Sequence, residues 1–156
     1  MSIESEKDND WGKSAAAVVI KDGKVLLVRH TYGAGKGMLI IPGGYIRSGE
    51  LPDAACEREV LEETGVTVKA EKLIGVRFSD KDWYSVFTAS YVSGEARSDN
   101  AENSEAVWVD ANEAVSADDV PDLTKVMITR ALTETGFVQT DFVSRNKDRI
   151  QKLYTI

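Results

Sequence analysis

The sequence predicts an α/β domain in which helices pack on a mixed β-sheet, and three observations carry that reading. Short β-branched runs recur along the chain with turn residues between them, two stretches have helical start and stop signals, and no repeat or linker divides the whole. With 156 residues, 42% of them apolar, the chain is about one domain long and can bury a core.

The elements follow in order. The polar, acidic segment 1–13 is expected to be flexible, 14–136 to form the domain, and 137–156 to be a helical extension packed on the domain or placed at a dimer contact. SAAAVVIKDGKVLLVRH reads as two strands joined by Asp22-Gly23, a type I′ hairpin signal. Met38 to Ile41 is a short strand that runs into a tight turn at Pro42-Gly43-Gly44. Pro52 suits the first position of a helix, Asp53 complements its dipole, and Gly65 is a left-handed stop, so a helix is expected over 52–64. Val66 to Phe78 and Trp83 to Val92 are strand-like, with a turn over 79–82, and Ala106 to Val109 is a further strand. A helix is expected over 122–135, ending at Gly136, and an amphipathic helix over 140–154.

Composition narrows the function. A net charge of −7 disfavours binding to a nucleic acid polymer or an anionic membrane, yet is compatible with a small phosphorylated ligand, because a metal ion held by acids reverses the local field. One cysteine excludes an internal disulfide framework. The start MSIESEKDNDW has neither the basic lead nor the apolar run of a signal peptide, and no stretch is long enough to span a membrane, so a soluble, cytoplasmic protein is expected.

The acids are concentrated where they should repel. Glu50, Glu57, Glu59, Glu62 and Glu63 stand in one stretch with no lysine before Lys69. On a wheel of 100° per residue with Ala54 at zero, Glu62, Glu59 and Glu63 fall near about 80°, 140° and 180°, on one narrow face, with Arg58 beside them near about 40°. A hard divalent cation resolves that repulsion, since Mg²⁺ takes carboxylate oxygens together with substrate phosphates. Gly43 and Gly44 permit close backbone approach and offer a carbonyl ligand. A merely solvated acidic face is the plain alternative.

The same stretch resembles the Nudix box, G-x5-E-x7-R-E-U-x-E-E-x-G-U with U an aliphatic residue. It matches at Gly44, Glu50, Arg58, Glu59, Val60, Glu62, Glu63, Gly65 and Val66, which at ordinary residue frequencies has a chance on the order of 10⁻¹⁰ at one starting point. The resemblance implies a Nudix-type α/β/α sandwich with a mixed β-sheet. It also implies a metal-dependent hydrolase of the MutT-like kind, cleaving a nucleoside diphosphate linked to another group. Glu59, Glu62 and Glu63 would then hold Mg²⁺ or Mn²⁺ with help from the Gly43–Gly44 backbone, while Glu50, Arg58 and Gly65 support the loop and helix. The general base falls among Glu62, Glu63, Glu102 and Glu105, with Glu105 preferred. Homodimers are a further implication of the family.

Substrate signals are thinner. Arg29, Arg47 and Arg77 are candidates to grip phosphates, and Tyr45, Phe78, Trp83 or Tyr84 to stack on a base; for each alone, strand packing or an ion pair is the plainer role. The proline that marks ADP-ribose pyrophosphatases after the box is absent from 65–92, as is the SQPWPFPxS motif of NADH pyrophosphatases. Nucleoside triphosphates and ADP-sugars are therefore expected first, undecided between them, and dinucleoside polyphosphates second. His30 has no partner in metal-ligand spacing, and Cys56 reads as a small core residue. Leu51 stands where a capping side chain is usual, and Leu39 where many members carry tryptophan. Two further classes, a catalytically silent nucleotide-binding regulator and an interaction protein, are separated from the enzyme by the intact box glutamates and by metal titration.

Overall fold

A computed structural model describes residues 12–156. The expectation for 1–11 lies outside the described residues, while Gly12 and Lys13, expected in the flexible segment, already belong to the first strand. The strands are β1 (Gly12–Lys21), β2 (Lys24–His30), β3 (Leu39–Ile40), β4 (Gly43–Tyr45), β5 (Thr67–Phe78), β6 (Asp82–Ser93), β7 (Asn103–Asp110), β8 (Val138–Thr140) and β9 (Leu153–Thr155). The helices are α1 (Pro52–Thr64), α2 (Ala111–Ala114) and α3 (Asp122–Leu132). The β1–β2 hairpin turns through Asp22 and Gly23, both at positive φ, as a type I′ turn requires.

β1 organises the sheet. It pairs in parallel with β6, and antiparallel with β4 along its first half and with β2 at its end. β2 carries β3 and β7 on its two sides, and β5 lies beyond β6. The sheet is mixed, and both faces are covered. Five consecutive buried residues, Ala15 to Val19, divide by parity: Ala15, Ala17 and Val19 pack with Ala55, Cys56 and Val60 of α1, while Ala16 and Val18 pack with Met127, Ile128 and Ala131 of α3. The result is an α/β/α sandwich, as expected.

Three expectations need correction. Gly43-Gly44 is not a free turn but the start of β4, because the small Ala15 and Ala16 opposite admit a glycine backbone and nothing larger. A Cβ on Gly43 would lie 2.5 Å from both the Ala15 oxygen and the Ala16 Cβ. α3 ends at Leu132 rather than 135, since Glu134 takes φ 59°. The expected C-terminal helix is absent, and 138–155 instead forms the β8–β9 pair. Between those strands, the Ser144 hydroxyl accepts from the Asn146 amide and the Asn146 side chain accepts from the Asp148 amide. Such local bonds compete directly with helical ones. The tail packs on its own domain: Tyr154 meets Phe87 edge-on at 5.5 Å, Lys152 pairs with Asp53, and Phe137 bridges to Leu73.

Candidate active site

The site forms where β4 delivers the chain to α1. Gly65, at φ 75°, closes the helix with its amide on the Leu61 carbonyl, and the start is carried by Pro52 without any side-chain cap at Leu51. The helix buries Ala55, Cys56 and Val60 and turns Glu59, Glu62 and Glu63 toward a cleft of about 650 Å³. Glu57 is not among them, because its carboxylate accepts the Ala70 amide of β5. Cys56 is fully buried, its S–H donating to the Asp53 carbonyl, and burial pushes the thiol up.

Arg58 holds the acids in order. Its Nε and Nη2 take both oxygens of Glu50 at 2.8 and 2.9 Å, a bidentate pair, while Nη1 reaches Glu59 at 2.8 Å and Glu62 at 3.1 Å. Nη2 also donates to the Tyr45 carbonyl, tying the helix to β4. Glu50 accepts the Arg47 amide as well, and the Arg58 guanidinium beside it holds its carboxyl down at about 2. Glu50 and Arg58 are thus a brace between loop and helix.

Glu63 is the buried acid. Desolvation pushes it up to about 8, with the charges of Glu59, Glu102 and Asp99 adding to the effect and the Gly43 amide opposing it at 3.2 Å. Burial raises Glu59 as well. Gly44 lies so close to Glu59 that a Cβ there would sit 2.5 Å from its carboxyl carbon. No three of His, Cys, Asp or Glu form a ready-made cage among the described residues. The donor chemistry nonetheless fits a hard divalent cation: one buried and two partly exposed carboxylates crowd together, and Glu59 Oε2 and Glu63 Oε1 take no partner from the described residues.

The opposite wall is the loop before β7. Asp99 accepts the amides of Ala101 and Asn103, and the buried Asn103 donates its side-chain N–H to the Glu63 carbonyl at 2.9 Å. That bond ties the loop to the end of α1 and leaves Glu102 lining the cleft. Glu105 does not line it: on β7 it pairs with Arg29 of β2 at 2.9 Å, and Arg29 also binds Asp119 and the Gly37 carbonyl. Two candidates for separate roles therefore engage each other. Arg47 reaches Glu62 at 3.5 Å at the cleft, and Arg77 binds Asp82 at 2.8 Å farther along the sheet.

Several lining residues went unnoticed in the sequence. Asp82, Asp99 and Ser14 are single polar residues whose meeting depends on strand register, and no motif marks them. The run Ser98 to Asn103 did advertise a turn. Tyr32, 53% exposed, stacks on His30 at 5.5 Å, and Tyr45 is 74% exposed, so aromatic surface stands open at the cleft. Phe78 and Trp83 instead meet each other edge-on at 5.2 Å at the outer end of β5 and β6.

Comparison with known proteins agrees with this geometry. The family model described as NUDIX domain matches residues 11–129. An ADP-ribose pyrophosphatase of Methanocaldococcus jannaschii is 35% identical over 95 residues, covering 56% of this chain and 56% of that protein. An NAD-capped RNA hydrolase of Photobacterium profundum is 31% identical over 120 residues, 73% of this chain and 43% of that protein. The chain thus spans about half the length of these relatives. Among solved structures, a NUDIX hydrolase from Nitrosomonas europaea superposes with a TM-score of 0.72 at 26% identity, covering 82% of this chain and 93% of that one.

Proposed function

Because this chain belongs to the NUDIX domain family, we propose that it is a metal-dependent pyrophosphohydrolase acting on a nucleoside diphosphate linked to a second group. The observation that carries the reading is the face of Glu59, Glu62 and Glu63 braced by the Arg58–Glu50 pair. Those three carboxylates and a carbonyl of Gly43 or Gly44 would hold Mg²⁺ or Mn²⁺, which when bound would supply charge neutralisation for the pyrophosphate and a lowered pKa for the attacking water.

The chain's own groups do the rest. Arg58 keeps Glu59 and Glu62 at fixed spacing, so little reorganisation is needed when charge develops. Glu102 is the proposed base, in place of Glu105, since it lines the cleft and has no ion-pair partner among the described residues, whereas Glu105 is held by Arg29. Arg47 stands at the mouth to meet the leaving phosphate. Tyr32 and Tyr45 offer faces on which a base can stack. The relatives named for ADP-ribose and NAD-capped RNA support an ADP-ribose or NAD-type substrate over a triphosphate.

The test is release of phosphate-bearing products from ADP-ribose, NADH, diadenosine polyphosphates and nucleoside triphosphates, with and without Mg²⁺, alongside Glu62→Gln. Metal-dependent cleavage of ADP-ribose or NADH, lost in the variant, is expected. Turnover of triphosphates alone would reassign the substrate, and no turnover with metal bound would make the protein a nucleotide-binding regulator.

A further inference from the structure

Glu102 stands on an exposed loop, yet a base has to keep its place to within a fraction of an ångström of the group it serves. The backbone around it is held from several directions. Thr31, just past β2, gives both its amide and its hydroxyl to the Glu102 carbonyl, at 3.2 and 3.1 Å. Asp99 accepts the amides on either side, those of Ala101 and Asn103, at 2.9 and 3.0 Å. With both flanking amides and its own carbonyl bonded, Glu102 keeps mainly its side-chain torsions.

Asn103 links that loop to the helix. Arg29 of β2 pairs with Glu105, but His30 pairs with Asn103, so Ser104 is an extra residue where regular pairing would set it opposite His30. A bulge of this kind re-aims the side chains beside it. Here Asn103, 1% exposed, reaches α1 and donates to the Glu63 carbonyl at 2.9 Å. That carbonyl is one of the last four of the helix, which have no amide partner within it; the next, on Thr64, takes the Arg97 amide at 2.8 Å. The loop therefore closes the end of the helix that carries the glutamates. Asn103 Oδ1 is buried without a hydrogen-bond partner among the described residues. An unpaired acceptor costs stability, so packing alone does not account for an asparagine there.

We propose that Asn103 and Thr31 are positioning residues, which hold the Glu102 carboxylate at a set distance from the acidic face of α1. The proposal rests on the assignment of Glu102 as the base. Neither residue lines the cleft, so both act through the loop backbone. Thr31 fixes the Glu102 peptide to the end of β2, and Asn103 fixes the next residue to the helix. The base and the glutamates of α1 thereby share one frame.

Two near-isosteric substitutions test the roles. Asn103→Leu exchanges one unpaired acceptor for another, and Thr31→Val keeps the amide bond while losing the hydroxyl. With ADP-ribose and Mg²⁺, kcat is expected to fall about tenfold or more in Asn103→Leu and by a smaller factor in Thr31→Val, with KM, calorimetric Mn²⁺ affinity and melting temperature little changed. In the Glu102→Gln background neither should cost more than about a further twofold, because the group they position is gone. Hydrogen exchange on the metal-free protein gives a readout without turnover: the amides of Ala101 and residue 103 should exchange faster in Asn103→Leu. Unchanged kcat in both variants, unchanged exchange, weakened Mn²⁺ binding, or the full loss repeated in Glu102→Gln would each overturn the proposal. An undiminished kcat in Glu102→Gln alone refutes the base assignment, whereas a diminished one beside intact Asn103→Leu and Thr31→Val refutes the positioning roles.

Discussion

Two helices cover the sheet, and they do so on opposite terms. α3 buries Thr124, Met127, Ile128 and Ala131 and no charged side chain, as a packing helix should. α1 buries Asp53 and Glu63 along with Ala55, Cys56 and Val60, and carries no basic residue in its last turn. Stability alone would not select that arrangement, because Glu63 is buried at the C-terminal end of the helix, where a carboxylate opposes the dipole, with Glu59 crowding it. The contrast teaches which face of the sheet is kept for stability and which for chemistry.

Substitutions can break that contrast from either side. The largest effect is expected from Glu102→Gln, which touches neither helix: turnover should fall about 10²- to 10⁴-fold, the usual contribution of a general base, while the melting temperature stays put. Steady-state kinetics beside a thermal melt checks it, and a variant of undiminished kcat removes Glu102 from the mechanism. Gly44→Ala comes next. Its new Cβ meets the Glu59 carboxylate at 2.5 Å and displaces it, so about 10²-fold of activity should be lost for a misplacement of this size. Gly43→Ala, whose Cβ meets backbone instead, should lose the fold first.

On the α3 side, Ile128→Ala removes a fully buried side chain and should cost about 3 kcal/mol in urea unfolding, with kcat per folded molecule unchanged. A large loss of kcat there would dissolve the division between the faces. The smallest effect concerns pH. Glu50 is held at about 2 by Arg58 against an ordinary value of 4.5, so its contribution to stability is full above pH 4.5 and is lost as pH falls from 4.5 through about 2. Melting temperatures over that window should fall more gently for Glu50→Gln than for the unmodified protein.

Much of α1 was legible in the sequence, since proline start, glycine stop and the spacing of its glutamates are local signals. The type I′ turn at Asp22-Gly23 and the β5–β6 hairpin were legible for the same reason. What escaped depends on partners distant in sequence. β4 exists because Ala15 and Ala16 of β1 lie opposite Gly43 and Gly44, and Glu105 meets Arg29 through the β2–β7 register. The tail misled for a local cause: its apolar residues suggested a helical stripe, while Ser144 and Asn146 spend their side chains on turn bonds.

The central claim is that the acidic face of α1 holds a divalent cation, and calorimetric titration of the protein with Mn²⁺, beside Glu62→Gln and Ile128→Ala, tests it most directly. Saturable heat in the unmodified protein and in Ile128→Ala, sharply weakened in Glu62→Gln, is the predicted result. No saturable heat in the folded, unmodified protein, or equal binding in all three, would contradict it.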